Sequence, residues 1–348
     1  MKIKEFANLK DTKKFFHKHK LNKSIIRKTP WFYSLPIAVG TYLGETNEKV
    51  SKLYKEAIEF ALQNGMNFID SAIVYRDMLS ERDIGKVLKK LINKKIVKRS
   101  EIIISTKGGI IPGDYDLGLS YEQYLDELVK QNIIKVEEYE EVKRREHTLS
   151  NKFFQFCINK SRENLGIKTI DIHYIHNPEM SKVEMEESEF YKKIENLFNF
   201  YEDQVERGNI RFYGMATWFA FSKNPSDKMY ISLEKIVDIA KIVAGTKNHF
   251  KFVQMPYNIK FNDAVSKKTQ LVEGKLMNAV DAANELGIYV TNSASLAQSK
   301  EYDNKLTPED FLSYVINTKG IFCSMVGTKK VEHIKKNLSI VKNNNYKF

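Results

Sequence analysis

Residues 50–70 read VSKLYKEAIEFALQNGMNFID, and the fold is decided here. Val50, Leu53, Tyr54, Ala57, Ile58, Ala61 and Leu62 recur at i, i+3, i+4 and i+7, the spacing of a helix that buries one stripe. Gly65 stands where a left-handed C-terminal cap is wanted, and Asn67-Phe68-Ile69-Asp70 follows as a short apolar strand. Working outward, the same alternation holds from Pro36 onward. Strands are predicted at 36–40, 67–70, 101–106, 169–175, 210–216, 250–254, 288–291 and 321–326, with helical periodicity between them. Ile84, Leu88 and Leu91 after Ser80 carry the stripe again, as do Ile194, Leu197, Tyr201 and Val205 before Gly208. Thr307-Pro308-Glu309-Asp310 supplies an N-cap, a proline at the first helical position and acids in the first turn. Parallel strands must be joined by crossovers, so this alternation predicts one α/β domain, a (β/α)8 TIM barrel.

Two segments fall outside the rhythm. Residues 1–31 are basic and lack sustained periodicity, so they are read as an N-terminal extension packed on or near a barrel that occupies 32–348. Residues 108–150 are far longer than an ordinary connection and hold a charged, helix-prone part around Glu122 to Arg145. Long loops at that end of a barrel shape or cover its active site, so this insertion is expected to act as a lid.

Composition narrows the partners. A chain of 348 residues with 42% hydrophobic and 12% aromatic side chains can bury a large core. Its formal charge of +12 favours anionic ligands, but the lysines are spread along the chain without a recognition module, so no nucleic acid is expected. Cys157 and Cys323 lie far apart with no CxxC, so neither a disulfide framework nor a metal site is indicated. The start MKIKEFANLKD has no signal-like apolar stretch, and no run reaches the ~18 apolar residues of a membrane span. A cytoplasmic protein without a membrane partner is expected, its oligomeric state left open.

Four ionisable residues sit at or just beyond successive strand ends: Asp70, Tyr75 in the loop that follows, Lys107 and His176. In a closed barrel those ends meet at one mouth. Each alone has a structural explanation, as a cap, a packed aromatic, a solvated strand end and a satisfied interior histidine. Their joint spacing makes a shared site the better reading. A tyrosine with pKa near ~10 is a poor proton donor at neutral pH unless a cation lies beside it, and Lys107 is such a cation. His173 and His176 fall on opposite faces of one strand.

The run Phe68-Ile69-Asp70-Ser71-Ala72-Ile73-Val74-Tyr75, with Ser80-Glu81 and Ile84-Gly85, resembles the aldo-keto reductase signature. Ser105-Thr106-Lys107-Gly108, the strand Ile170 to Pro178, Gly208 to Gly214, Gln254-Met255-Pro256-Tyr257-Asn258 and Val326-Gly327-Thr328 to Asn337 continue the likeness from about Leu35. The resemblance implies an NADPH-dependent reductase of aldehydes or ketones, with NADH as the other candidate cofactor. It implies Tyr75 as general acid, Lys107 as the neighbouring cation, Asp70 as the partner of Lys107 and His176 as the group orienting the carbonyl oxygen; His173 is left structural. No GxGxxG follows a strand, and the resemblance places the dinucleotide across the barrel mouth instead. Gly40 and Thr41 fall near the nicotinamide, Gln254 at the carboxamide, and Gly327, Thr328, Lys329, His333 and Asn337 around the adenosine phosphates. Asp70, Thr217, Ser293 and Leu296 join that cofactor site.

The likeness has departures. Ala216-Thr217 stands where the family has Ser-Asn, Asn292 to Leu296 offers no stacking aromatic, and the last helix has His333 and Lys336 where an arginine and an acid are usual. The substrate, a small-molecule carbonyl or one on a modified peptide, is not specified. A nicotinamide-binding regulatory or accessory subunit with little turnover is the alternative, and a barrel lyase or isomerase a third reading.

Overall fold

The computed structural model describes residues 2–142, 145–297 and 306–343. Eight parallel strands close into a barrel: β1 (Ile37–Gly40), β2 (Phe68–Asp70), β3 (Ile103–Gly108), β4 (Ile170–His176), β5 (Ile210–Ala216), β6 (Phe250–Pro256), β7 (Tyr289–Ser293) and β8 (Ile321–Gly327). Packed outside it, one after each strand in turn, are α1 (Glu48–Gln63), α2 (Leu79–Asn93), α3 (Asn151–Asn164), α4 (Glu187–Glu206), α5 (Leu233–Ala244), α6 (Ala279–Glu285), α7 (Pro308–Ile316) and α8 (Val331–Asn343). Each predicted strand is present with ends shifted by up to two residues, and Thr307 caps α7 as expected by accepting from the Asp310 N–H. An unpredicted antiparallel hairpin pairs Lys268–Val272 with Lys275–Asn278.

The register sets the mouth level. Gly40 pairs with Asp70, His176 with Ala216, Ala216 with Gln254, and Gly327 with Gly40, so residues far apart in sequence share one rim. Alternation along each strand sends one set of side chains to the helices and the other into the barrel, where Phe68, Ile103, Ile172, Tyr174, Phe212, Phe252 and Phe322 pack together.

The N-terminal residues stopper the opposite end. Ala7 and Phe32 are fully buried in that interior cluster, with Trp31 packed against it. Leu9–Lys18 is a helix capped by Asn8, whose side chain accepts from the Asp11 N–H; this helix was not predicted. Its short amphipathic pattern gains its meaning only from the barrel floor beneath it. Asp171 anchors the plug, accepting from the Ala7 N–H at 2.8 Å, from Arg99 at 2.7 Å and from the Ile104 N–H at 2.9 Å.

Among its described residues the insertion is α-helical over Tyr121–Lys130, with a short 3-10 turn at Val136–Glu138, and a hairpin of Tyr139–Val142 with Arg145–Thr148 follows where a helix-prone stretch was predicted. The cause is tertiary. Ile110 bridges His147, and the Thr148 N–H donates to Gly109 O at 3.0 Å, so the returning strand pairs with the chain leaving β3. The insertion helix packs Tyr124, Leu125 and Leu128 on Phe153 and Cys157 of α3.

Candidate functional site

A cleft of about 330 Å³ opens at the C-terminal mouth, the end at which barrels of this kind carry their chemistry. Asp70 ends β2, Lys107 stands one residue before the end of β3, His176 ends β4, and Tyr75 lies in the loop leaving β2. Lys107 is buried behind the cleft wall. Its ammonium donates to Asp70 Oδ2 at 2.6 Å and to Ser71 O at 2.7 Å, and lies 4.9 Å from the centre of the Tyr75 ring. Asp70 Oδ1 accepts from Ser105 at 2.6 Å and from the Gln254 amide at 3.3 Å, which fixes the carboxylate that in turn fixes Lys107. The Tyr75 ring meets His176 edge-on at 5.8 Å and Tyr42 at 5.0 Å. The four residues singled out from the sequence therefore converge, while His173 faces the helices and bonds the Tyr201 hydroxyl at 2.7 Å.

The Ser80-Glu81 pair holds this geometry from behind. Ser80 donates to Thr41 O at 2.8 Å, while buried Glu81 accepts from Thr106 at 2.6 Å and from Asn164 at 2.9 Å. Arg76, Asp77 and Met78 follow Tyr75 with φ of 53°, 50° and 68°. Three successive side-chain-bearing residues in the left-handed region are costly, and Arg76 compensates. Its guanidinium pairs with Asp83 at 2.9 Å with both side chains buried, bonds Ser51 at 2.7 Å and Glu45 O at 3.1 Å, and lies over the Tyr54 ring.

Burial sets the protonation states. It pushes the Tyr75 hydroxyl well above its usual range, with the Asp70 charge adding to the rise. The lowering expected from Lys107 is thus outweighed, because the ammonium is committed to Asp70 and faces the ring rather than bonding the hydroxyl. Burial also lowers Lys107, against the opposing effect of Asp70. His176 is held well below the ordinary histidine range by burial, with the nearby Lys107 charge adding to the drop, so its imidazole is neutral.

Of the other expected residues, Gly40, Thr41, Thr217, Gln254, Ser293, Leu296 and Gly327 line the cleft. The remainder lie beyond its edge. Thr328 is buried past β8, bonded by Asn337 at 3.4 Å; Lys329 is half-buried and His333 exposed on the first turn of α8. The sequence reading missed the apolar wall of Tyr42, Val74, Ile110, Met180 and Trp218. Side chains on loops, and on a helix of four residues such as the one that carries Met180, show no periodicity, so nothing in the sequence marked them. Trp218 stands in the loop after β5, an aromatic at the mouth although the end of β7 has none. Of the described residues 108–142 and 145–150, only Ile110 reaches the cleft.

Two features suit a flat amide-bearing ring. Thr217 Oγ1 is buried without a hydrogen-bond partner, and Gly40 and Gly327 leave the rim between them bare, since a Cβ on Gly40 would lie 3.3 Å from Gly327 N. Among the described residues no helix is long and apolar enough to cross a membrane.

Solved structures share this architecture. A glycerol dehydrogenase from Gluconobacter oxydans superposes with a TM-score of 0.61 at 16% identity, over 92% of this chain and 90% of its own. An aldo/keto reductase from Klebsiella pneumoniae, solved with NADP and acetate, gives 0.59 at 14% over the same shares. An aldo-keto reductase from Bacillus halodurans, in its holo form, gives 0.56 at 16%, again over 92% and 90%. At such identities the likeness speaks for the fold alone, and no curated protein sequence matches the chain. The family model for the aldo/keto reductases matches residues 36–299, which span every strand from β1 to β7 and all four residues gathered at the mouth. With three-quarters of its length matched in this way, the chain belongs to the aldo/keto reductase family.

Proposed function

We propose that this protein reduces an aldehyde or ketone to an alcohol with NADPH, and that Tyr75 supplies the proton. The observation that carries the reading is the meeting of Tyr75, the Lys107–Asp70 pair and neutral His176 at one cleft. The bare Gly40–Gly327 rim and the unpartnered Thr217 hydroxyl fit a nicotinamide, and the structures from Klebsiella pneumoniae and Bacillus halodurans described above were solved with NADP and in a holo form. When bound, the dinucleotide supplies the hydride. Tyr75, kept protonated by its burial, gives its Oη proton to the alkoxide, forming an O–H bond and leaving a tyrosinate. Lys107 then stabilises that anion, which regains a proton from solvent. Asp70 holds Lys107, and the neutral His176 ring orients the carbonyl oxygen. Thr328, Lys329 and His333 are the groups we assign to the 2′-phosphate.

The substrate side of the cleft is apolar. Tyr42, Val74, Ile110, Met180 and Trp218 surround it, Asn177 adds an amide, and among the described lining residues the only charged side chain is the Asp70 already paired. This wall favours carbonyl compounds with an uncharged, apolar body, and aromatic aldehydes are expected to outrank phosphorylated sugars.

The test is single-turnover NADPH oxidation by wild type and Tyr75→Phe at equal cofactor occupancy, across a panel of aldehydes and ketones. Loss of the general acid is expected to slow the step by ~100- to 10,000-fold while the cofactor stays bound. Rates within a few fold of each other would assign the proton to another group. NADPH binding without turnover of any carbonyl would favour the regulatory or accessory subunit instead.

A further inference from the structure

We infer that His147, contributed by the insertion, is a positioning residue that sets the place of His176 through its main chain. This rests on the proposed role of His176 and deepens it.

His176 is poorly held by its own ring. Its Nδ1 is buried and has no hydrogen-bond partner, so no side-chain bond at that nitrogen fixes the imidazole plane. The main chain must fix it instead. On one side the Asn177 N–H donates to Ala216 O at 2.6 Å. On the other, His147 Nε2 lies 2.8 Å from His176 O, and His147 Nδ1 lies 2.7 Å from Ser181 Oγ on the short helix Glu179–Lys182 that follows β4. A carbonyl only accepts, so His147 carries its proton on Nε2 and takes the Ser181 hydroxyl proton at Nδ1. Burial drives His147 down to about 4, which keeps it in this neutral, two-way form at physiological pH.

The approach is built for this ring. Gly109 has φ of +126°, and a Cβ there would stand 2.8 Å from His147 Nε2 and 3.3 Å from His176 O. Only a bare backbone lets the imidazole pass between β3 and β4. The strand that carries His147 is pinned to the chain beyond β3 by the Thr148-to-Gly109 and Ile111-to-Glu146 bonds, 3.0 and 3.1 Å long. His147 is completely buried and does not line the cleft, so it acts on chemistry only through His176.

Three substitutions separate positioning from bulk stability. His147→Ala removes both bonds. His147→Asn places an amide near Ser181 that is too short for His176 O, and His147→Gln is long enough to reach it. Crystal structures of wild type and variants, all without ligand, should show the His176 ring moved or split by about 1 Å in the Ala and Asn forms and restored in the Gln form. With an accepted aldehyde, kcat should fall ~10- to 100-fold in the Ala and Asn forms, as misplacement by ~1 Å near a reacting centre does, with KM and NADPH affinity within twofold and Gln recovering most of the loss. If the Ala form does not fold, the Asn and Gln pair carries the same comparison. A His176 ring in its wild-type place in the Ala or Asn form, or equal kcat for Asn and Gln, overturns the assignment. Failure of wild type to turn over any carbonyl would overturn the reductase reading, while the crystallographic comparison still decides the role of His147.

Discussion

Glu179 lies buried below the Trp218 loop, one oxygen accepting the Trp218 N–H at 2.6 Å and the other without a partner. Burial lifts its carboxyl to about 7, although the Trp218 bond pulls the other way. Its folded pKa exceeds the unfolded value, so the folded state binds the extra proton. The resulting stability is present below about pH 4.5 and is lost as pH rises through about 7. Glu179→Gln keeps the acceptor and cannot ionise. Its stability should match wild type near pH 4.5 and exceed it by roughly 2–4 kcal/mol above pH 8, read from urea unfolding at both pH values. A gap that does not change with pH would mean that the carboxylate finds a compensating partner. The shifts at Tyr75 and His176 carry a kinetic counterpart. Tyr75 is raised and His176 lowered, so neither ionises near neutrality, and the hydride step should be flat from about pH 6 to 9. A break within that range in the single-turnover rate would contradict one of the two protonation states.

Among the elements, the left-handed turn after Tyr75 is the most dependent on a single side chain. Arg76 ties it to Asp83, to Ser51 and to the loop before α1. Arg76→Met leaves Asp83 buried without its cation and should cost about 3–5 kcal/mol, with Tyr75 released from its place. Chemical denaturation checks the first effect and single-turnover rate the second; a stable variant with normal turnover would show that the turn holds itself. The strands were legible because β-branched runs such as Ile103–Ile104 and Ile170 to Ile175 are buried on both faces, and burial of that kind writes itself into local sequence. Asp70, Lys107 and His176 were legible because they close such runs. The hairpin holding His147 was not, since its pairing is with Gly109 and Ile110, more than 35 residues earlier. Within one sequence a lone histidine in a charged segment looks like any other. Trp218, in the loop after β5, and Met180, on the short helix Glu179–Lys182, escaped for a related reason, as the barrel sets the path of each connection.

Across the whole molecule the charge of +12 is spread widely, but Lys329 brings part of it close to the edge of the mouth. NADPH should bind more tightly than NADH, and the preference should narrow as salt screens the 2′-phosphate; fluorescence titrations of both at 50 and 500 mM NaCl test this, and a preference for NADH would remove the phosphate assignment. The barrel floor brings together segments far apart in sequence. Ala7 donates to Asp171, Arg211 donates to Ala7 O, and Arg27 reaches the carbonyl of Ile321 at the start of β8, 294 residues away. On the ribosome Arg27 emerges well before Ile321, so the segment around it is among the last to find all its partners. At ~5–20 residues per second, Arg27 waits roughly 15 to 60 s for Ile321 to be made. Phe15, Phe16 and Phe32, all buried in the finished protein, spend that interval in search of cover. Nascent chains stalled before β8 should be cut by protease around Phe15, Phe16 and Phe32, where the released protein resists, and this segment is a natural landing place for a chaperone.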